Sequence, residues 1–198
     1  CLYIADGHHR SAAAARVYQN RRGAGQSAFF LSVIFPHHQL QILPYNRAVK
    51  DLNGLSPAAF LQKLETVCET AAAEKKHPAR KHELGLYLAG RWHTIGFHPH
   101  LADGAKPVGQ LDVSLLQQHV LEPLLGITDP RTSQRLRFVG GIRGPAELEH
   151  LVDRGECACA FSMFPTRVED LMAIADAGEI MPPKSTWVEP KLRDAIFC

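Results

Sequence analysis

Five consecutive residues near the start of the chain, Asp6-Gly7-His8-His9-Arg10, bring a carboxylate, two imidazoles and a guanidinium into one turn. Such groups move protons and neutralise charge in enzyme sites. Arg10 has a planar fork that fits a phosphate or a carboxylate through two hydrogen bonds. Gly7 permits a positive φ or a close approach of the backbone to a ligand. This DGHHR motif therefore predicts a polar site that binds an anion.

The flanking sequence places the DGHHR motif between a strand and a helix. Residues 1–5 have the apolar pattern of a buried strand, and residues 11–22 form an Ala-rich run that predicts a helix. The free N–H groups and the positive dipole end of such a helix favour a bound anion. Two alternatives stay open: Asp6 is only the N-cap of the helix, or one of the two histidines packs without touching a ligand.

A second candidate site is residues 181–186, the MPPKST motif, in which two prolines stiffen the chain before a lysine and two hydroxyls. Ammonium and hydroxyl groups bind phosphate and its metal ion. Lys184, Ser185 and Thr186 are therefore candidate phosphate ligands. The alternative is a Pro-rich turn that enters a final strand with Lys184 exposed. We predict that the MPPKST and DGHHR motifs face one cleft.

Three other polar groups give weaker signals. Residues 140–144 are rich in glycine but lack the spacing of a phosphate-binding loop, which favours a tight turn. The histidines and Asp103 of residues 98–109 are too loosely spaced for a metal site, which favours a solvated loop. Cys68, Cys157 and Cys159 form no Cys-x-x-Cys pair, which favours burial in the core over zinc binding and indicates a reducing compartment.

The composition is that of a folded protein and argues against two classes of partner. The chain has 198 residues, of which 45% are hydrophobic, enough for one or two compact units. Its 22 basic and 20 acidic residues give a net charge of +2 without a basic stripe, which excludes a nucleic-acid partner. No apolar run approaches the roughly 20 residues of a membrane span. We expect a cytoplasmic protein with no membrane partner.

Hydrophobic periodicity predicts a mixed α/β fold. We expect a strand at residues 29–35 with a hairpin partner at 40–43, and a second hairpin around residues 89–91. A helix should begin after Ser56-Pro57 and carry Cys68 on its apolar face, and another should span residues 112–125. Residues 136–177 alternate strand, helix, strand, helix, which predicts a βαβ crossover with a parallel strand pair.

The motifs together resemble a known family. The sequence YIADGHHR before an Ala-rich helix and the sequence AIADAGEIMPPKSTWVEPKLR near the other end, with LQILPYNRAVKDLNGLSP and LDVSLLQQHVLEPLLGI between them, are similar to domain-of-unknown-function family 1015 of bacteria and archaea. That family resembles the ParB/sulfiredoxin superfamily, whose members place a Gly-containing, Arg-ended motif on nucleotide phosphates. Free-serine kinases of the superfamily carry a similar Asp-Gly-His-x-Arg sequence.

The resemblance implies a domain organisation and an activity. Residues 1–54 would be the C-terminal part of a ParB/sulfiredoxin-like domain, and residues 55–198 a mixed α/β domain that ends in the MPPKST motif. The implied activity is a nucleotide-dependent phosphotransferase with ATP or ADP as co-substrate, Mg²⁺ as cofactor and a small hydroxyl acceptor such as L-serine. Family members have a segment upstream of the DGHHR motif. The chain is therefore expected to be a C-terminal fragment whose general base lies in the missing segment.

The resemblance also implies roles for individual residues. Arg10 and the N–H groups of Gly7 to His9 would hold the transferring phosphates, Asp6 would orient the acceptor hydroxyl or Mg²⁺, and His8 or His9 would donate to the developing charge. Two alternatives stay open. One is a nucleotide-binding regulatory module of ParB type that phosphorylates no acceptor, and the other is a metal-dependent hydrolase that uses Asp6, His8 and His9.

Overall fold

The computed structural model of the protein describes residues 2–34, 36–104 and 106–189, except for the side chains of His8 and His9. Internal contacts divide the chain into two compact units. The first unit comprises residues 1–41 and 188–198, and the second comprises residues 42–187. Within the described residues, no helix is long and apolar enough to cross a membrane.

Five α-helices and eight strands make up the described part of the chain. The helices are α1 (His8–Arg21), α2 (Pro57–Leu64), α3 (Asp112–Leu116), α4 (Gly144–Asp153) and α5 (Val168–Asp176). The strands are β1 (Gln41–Leu43), β2 (Tyr45–Val49), β3 (Cys68–Ala72), β4 (Glu83–Leu88), β5 (Arg91–Phe97), β6 (Leu136–Gly140), β7 (Cys159–Ser162) and β8 (Trp187–Glu189). The mixed α/β class predicted from the sequence is confirmed.

The main element of the first unit is α1, which agrees with the Ala-rich helix that the sequence predicts. Alanine has the highest helix propensity, and the helix begins already at His8. It ends where Arg22 adopts a left-handed conformation with φ of 51°, and the N–H of Gly23 donates to the carbonyl of Tyr18 at 2.9 Å. The sequence therefore predicts the presence of α1 well and its first turn less well.

Two strands predicted in the first unit are wrong. Residues 2–5 and 29–34 have no strand partner among the described residues, and the side chains of Phe29 and Leu31 are 78% and 84% exposed. An apolar run shows only that its side chains suit a buried surface, whereas a strand also requires a neighbour for its backbone hydrogen bonds. The remaining residues of these predictions, Cys1 and Phe35, lie outside the described residues.

The second unit contains a six-stranded sheet in the order β3-β5-β4-β7-β2-β6, in which every neighbouring pair is antiparallel. Both faces of the sheet are covered. Ala48 packs with Leu148 and Leu151 of α4 on one face, while its neighbour Val49 belongs to the larger cluster that includes Leu115 of α3. Successive residues of a strand point to opposite faces, so β2 contributes to both clusters.

The predicted βαβ crossover is correct in its elements and wrong in its pairing. Strands β6 and β7 run in the same direction, because each pairs antiparallel with β2. They are not neighbours, since β2 lies between them. Strand β2 comes from a much earlier part of the chain, so the local pattern of residues 136–177 does not reveal the insertion.

The predicted hairpin of residues 29–35 with 40–43 is also wrong, because β1 pairs with β8 in a two-stranded sheet. The hairpin around residues 89–91 is confirmed. Strands β4 and β5 are joined there by Ala89 and Gly90, whose φ values of 48° and 77° suit a type I′ turn. Local turn chemistry thus predicts a hairpin better than two neighbouring apolar runs do.

Helix α2 begins as predicted and ends early. The side chain of Ser56 accepts a hydrogen bond from the N–H of Ala59 at 3.2 Å, and proline occupies the first turn. The helix stops at Leu64, however, and Cys68 begins β3 opposite Phe97 of β5. The prediction of Cys68 on a helix is wrong because short apolar spacings suit either period, and pairing with β5 decides between them.

The three described cysteines are buried free thiols, as predicted. Burial raises the pKa of Cys68 to about 12 and holds the pKa of Cys159 well above its usual range. Burial also raises the pKa of Cys157. Thiols that stay protonated are weak nucleophiles and weak metal ligands, so these cysteines serve as small apolar residues of the core.

One carboxyl group is buried in the second unit. Asp112, in the first turn of α3, is 7% exposed, and its Oδ1 accepts a hydrogen bond from the N–H of His82 at 2.9 Å. Burial raises the pKa of Asp112 to about 7, although the His82 bond acts in the opposite direction. The protonated form of Asp112 is therefore favoured in the folded protein up to neutral pH.

We expect an Asp112→Asn variant to become more stable relative to the wild type as the pH rises, measured as the difference between their free energies of unfolding. The aspartate ionises near pH 4 when unfolded and near pH 7 when folded. The folded state binds more protons between these values, so wild-type stability falls there by up to about 1.4 kcal/mol per pH unit, whereas the amide does not titrate. Urea unfolding of both proteins across this range measures the difference. A pH-independent difference would contradict the assignment.

Candidate functional site

The DGHHR motif forms the entry to α1. Gly7 is the N-cap, in a left-handed conformation with φ of 81° and ψ of 25°. The carboxylate of Asp6 accepts a hydrogen bond from the N–H of Gly7 at 2.8 Å and does not cap the helix. The interpretation of Asp6 as the N-cap is therefore wrong. Gly7 has no side chain to cap the first turn, whose N–H groups have no partner within the helix itself.

The guanidinium of Arg10 lies against Gly7. A Cβ atom at Gly7 would stand 3.2 Å from Nη2 and 3.4 Å from Nε of Arg10. The positive φ favours glycine, and a side chain at this position would also push against the Arg10 guanidinium. Asp6 and Arg10 are exposed, so a carboxylate and a guanidinium lie at the surface beside the N-terminus of α1. A guanidinium beside a helix N-terminus is chemically able to bind an anion.

The roles predicted for the side chains of His8 and His9 fall outside the described residues. The backbone of both residues belongs to the first turn of α1. The contribution of their N–H groups to an anion site and the roles of their side chains both stay predictions.

The MPPKST motif forms a turn that leads into β8, as the Pro-rich turn interpretation predicts. The hydroxyl of Ser185, a buried residue, donates to the carbonyl of Pro182 at 2.6 Å, and the hydroxyl of Thr166 donates to the carbonyl of Ser185 at 3.1 Å. Lys184 is exposed, has a φ of 55°, and places Nζ 5.5 Å from the centre of the Tyr45 ring. Phosphate binding by Lys184, Ser185 and Thr186 stays a prediction.

Arg47 is the residue of this region that the sequence did not single out. It lies on β2 and is 4% exposed. Its guanidinium donates through Nη2 to the carbonyl of Lys184 at 3.0 Å and through Nη1 to the carbonyl of Tyr45. Burial lowers the pKa of Arg47 to about 10, so the side chain is still a cation at neutral pH. Within the described part of the chain, no carboxylate forms an ion pair with it.

A signal for Arg47 was present in the sequence YNRAV, where a charged residue interrupts a short strand-forming run. Charged residues in strands are usually on a solvated face. Here both faces of β2 are covered, so the charge is buried. Arg47 ties the MPPKST motif to the sheet by a hydrogen bond to the backbone carbonyl of Lys184. This bond positions Lys184 but does not involve its ammonium group, which stays exposed.

Aromatic packing holds the other side of the MPPKST turn. The ring of Tyr45 lies 5.4 Å from that of Trp187 and 5.9 Å from that of Phe138. A Cβ atom at Gly140 would stand 2.5 Å from the Trp187 ring, and one at Gly141 would stand 2.6 Å from the carbonyl oxygen of Pro44. The glycines of residues 140–144 therefore allow close packing, in agreement with the tight-turn interpretation.

The two motifs are in different units, so their predicted common cleft stays a prediction. Over the residues that the structure describes, without the two histidine side chains of the DGHHR motif, no group of three His, Cys, Asp or Glu residues could hold a metal ion. In the loop of residues 98–109, the rings of His98 and His100 stack with their centres 5.8 Å apart.

Comparison with known proteins identifies a family and a fold. Residues 1–114, more than half of the chain, match the family described as protein of unknown function, DUF1015. The chain is similar in fold to a mutant free serine kinase in complex with AMP (TM-score 0.52, 17% identity), a conserved hypothetical protein from Pyrococcus furiosus (TM-score 0.51, 15% identity) and a mutant free serine kinase in complex with ADP (TM-score 0.50, 20% identity).

These structural similarities cover 93% of this chain and 66%, 68% and 66% of those chains. The chain thus spans about two thirds of the length of these solved structures. A comparison with curated proteins finds no match. At these identities the similarity shows the fold.

We expect Gly140→Ala to destabilise the protein by about 1–3 kcal/mol, because the added methyl group would overlap the Trp187 ring. Gly96→Ala is the matched control, since a Cβ atom at that strand position has open space. Urea unfolding measures both changes. Combining Gly140→Ala with Trp187→Leu should make the two losses non-additive. Equal effects of the Gly140 and Gly96 substitutions would contradict the packing role.

Proposed function

Since the chain belongs to the DUF1015 protein family and shares the fold of free serine kinase, we propose that it is a nucleotide-dependent phosphotransferase acting on a small hydroxyl acceptor. The observation that carries the proposal is the start of α1. There the N-cap residue is Gly7, which has no side chain to cap the first turn, and the Arg10 guanidinium lies against it. An anion bound at this point would accept hydrogen bonds from backbone N–H groups and would also lie beside a cation.

Phosphoryl transfer depends mainly on positioning and on neutralising charge, because the transferred group spreads its charge over several oxygens. In our proposal the fork of Arg10 and the N–H groups of the first turn hold the phosphates. The left-handed conformation of Gly7 fixes the direction in which the helix starts. The guanidinium of Arg10 is exposed and lies against Gly7, which places the fork beside the start of the helix.

Asp6 is the proposed contact to Mg²⁺ or to the acceptor hydroxyl. Mg²⁺ usually keeps several waters and binds through one or two carboxylates together with substrate phosphates. A single exposed carboxylate beside a phosphate site fits this pattern, and a cluster of three ligands is not required. Mg²⁺ would lower the charge on the phosphates, while Asp6 orients the groups around it. His8 or His9 would supply a further donor to the developing charge.

The MPPKST motif provides the second cation in this proposal. Arg47 and Thr166 hold the backbone of Lys184 and Ser185, while the Lys184 ammonium is exposed. A fixed backbone that carries an exposed ammonium suits phosphate binding, because the protein loses less conformational entropy on binding than a flexible loop would. Ser185 and Thr186 complete the proposed set of ligands. ADP and ATP are the proposed co-substrates, and L-serine is the first acceptor to test.

We expect Arg10→Ala to weaken ADP binding in the presence of Mg²⁺ at least about tenfold. A charge-assisted hydrogen bond to phosphate is worth about 1.5–3 kcal/mol. Isothermal titration calorimetry measures the change. Arg16→Ala, on the same helix and also exposed, is the matched control and should leave the affinity unchanged.

Substitutions of two glycines refine this test. Gly7→Ala should weaken ADP binding more than Gly25→Ala, because both residues have a positive φ but only the Cβ atom at Gly7 would meet Arg10. If Arg10→Ala and Gly7→Ala both bind ADP as the wild type does, the DGHHR motif is not the nucleotide site.

We expect the full-length protein, incubated with Mg²⁺, L-serine and either ADP or ATP, to form phosphoserine. Asp6→Asn should abolish the product, because the amide cannot hold Mg²⁺ or orient the hydroxyl as a carboxylate does. Mass spectrometry detects the product, and circular dichroism checks that the variant is folded. Nucleotide binding without phosphorylation of any acceptor in a panel of small hydroxyl compounds would favour the regulatory module.

A further inference from the structure

We propose that a cavity beside Arg47 binds a short-chain carboxylic acid that carries an amino or hydroxyl group. The cavity has a volume of about 180 Å³ and lies wholly within the second unit. Its walls include Arg47 from β2, Gln117 and Leu121 from the segment after α3, and Pro182 and Pro183 from the MPPKST motif. The cavity shares the two prolines with the MPPKST motif but involves none of the residues of the DGHHR motif, so a variant of the DGHHR motif can separate this inference from nucleotide binding.

The charge of Arg47 is the first argument. Its guanidinium donates to two carbonyl oxygens and lies 5.4 Å from the centre of the Phe138 ring, and none of these partners carries a negative charge that neutralises the cation. A guanidinium has five N–H donors, so three donors are outside those two bonds. A buried charge without an opposite charge is costly, and an anion in the adjoining cavity would offset that cost. The cavity therefore favours an anionic ligand and disfavours a metal cation.

The walls and volume of the cavity limit the anion to a small organic acid. Val113, Leu121, Pro130 and the two prolines of the MPPKST motif make most of the lining apolar. Inorganic phosphate is hydrophilic on all sides and would leave oxygens against these walls without partners. The cavity is smaller than the roughly 300 Å³ at which drug-sized sites begin, and far larger than one water requires. A carboxylate on a short carbon chain fits both limits.

Gln117 adds the requirement for a donor on the ligand. Its Nε2 donates to the carbonyl of Ile127 at 2.7 Å. Its Oε1 is buried and has no hydrogen-bond partner among the described residues. Gln117 also begins a π-helical turn, Gln117–Leu121, a distortion that is common at functional sites. Gln117 lines the cavity, so a rotation of its carboxamide towards the cavity would let an amino or hydroxyl group on the acid satisfy this oxygen.

The hydroxyl of Ser114 fits the same ligand. It also lines the cavity, and its hydrogen is used in a bond to the carbonyl of Val108 at 2.6 Å. Its oxygen thus meets the ligand as an acceptor. Arg47 is then the cavity's charged donor, while Ser114 and Gln117 both accept, which suits a 2-amino or 2-hydroxy acid better than a simple fatty acid.

The test measures binding of four probes to the full chain without nucleotide or Mg²⁺. The probes are L-alanine, L-lactate, propionate and inorganic phosphate. Ligand-observed NMR and calorimetry measure their binding. We expect alanine, lactate or both to bind more tightly than propionate, and phosphate to be the weakest ligand. The alanine and lactate arms distinguish an amino acid from a hydroxy acid. Equal binding of all four probes, or of none, would overturn the proposal.

Variants test the two polar groups separately. Arg47→Met should weaken binding of the acids at least about tenfold, as expected for loss of a charge-assisted bond. Arg137→Met, which removes an exposed guanidinium from the adjacent strand β6, is the matched control and should bind as the wild type does. Gln117→Met should weaken binding of alanine or lactate without changing that of propionate, a selective loss that unfolding cannot produce.

Arg10→Ala separates this proposal from the proposed function. That variant should bind the acids normally even where it fails to bind nucleotide. If Arg47→Met is folded by circular dichroism and binds the acids with unchanged affinity, Arg47 does not form the site and the proposal fails.

Discussion

The structure of the second unit depends on one buried charge. Arg47 is a cation within a sheet that helices cover on both faces, and the carbonyls of Tyr45 and Lys184 are its hydrogen-bond partners. Removing either partner would leave an unsatisfied buried donor, which is far more costly than losing a surface bond. The MPPKST turn and strand β2 are therefore coupled energetically, although they are distant in sequence.

In keeping with that coupling, the interactions that hold the MPPKST turn are made mainly to backbone atoms and not to side chains. The turn is held by bonds to the carbonyls of Lys184, Ser185 and Pro182, and the Trp187 ring lies on Gly140 without space for a side chain there. Bonds to the backbone define a conformation whatever the side chain does. They position an exposed ammonium on a rigid support, as a precise binding site requires.

The features that the sequence predicted correctly are local ones. The start of α2 follows from Ser56 and Pro57, and the β4–β5 hairpin follows from residues that tolerate a positive φ. The early end of α2 and the place of β2 in the sheet depend on partners far along the chain. In the candidate site, the presence of glycine at position 7 predicted the left-handed conformation that the structure shows there. Arg47 was missed because only the position of β2 inside a covered sheet shows that the residue is buried.

The insertion of β2 between β6 and β7 also has a consequence for how the chain acquires its structure. Strand β2 precedes both of its partners by much of the length of the unit, so the middle of the sheet cannot close until residue 162 is available. Contacts between such distant segments slow folding, because a long loop must close before they form. During synthesis on the ribosome, β2 would emerge with both edges unpaired and with Arg47, which is buried in the folded protein, still exposed. Strand β6 can pair with one of these edges once residue 140 has been synthesised, but the other edge stays open until β7 follows.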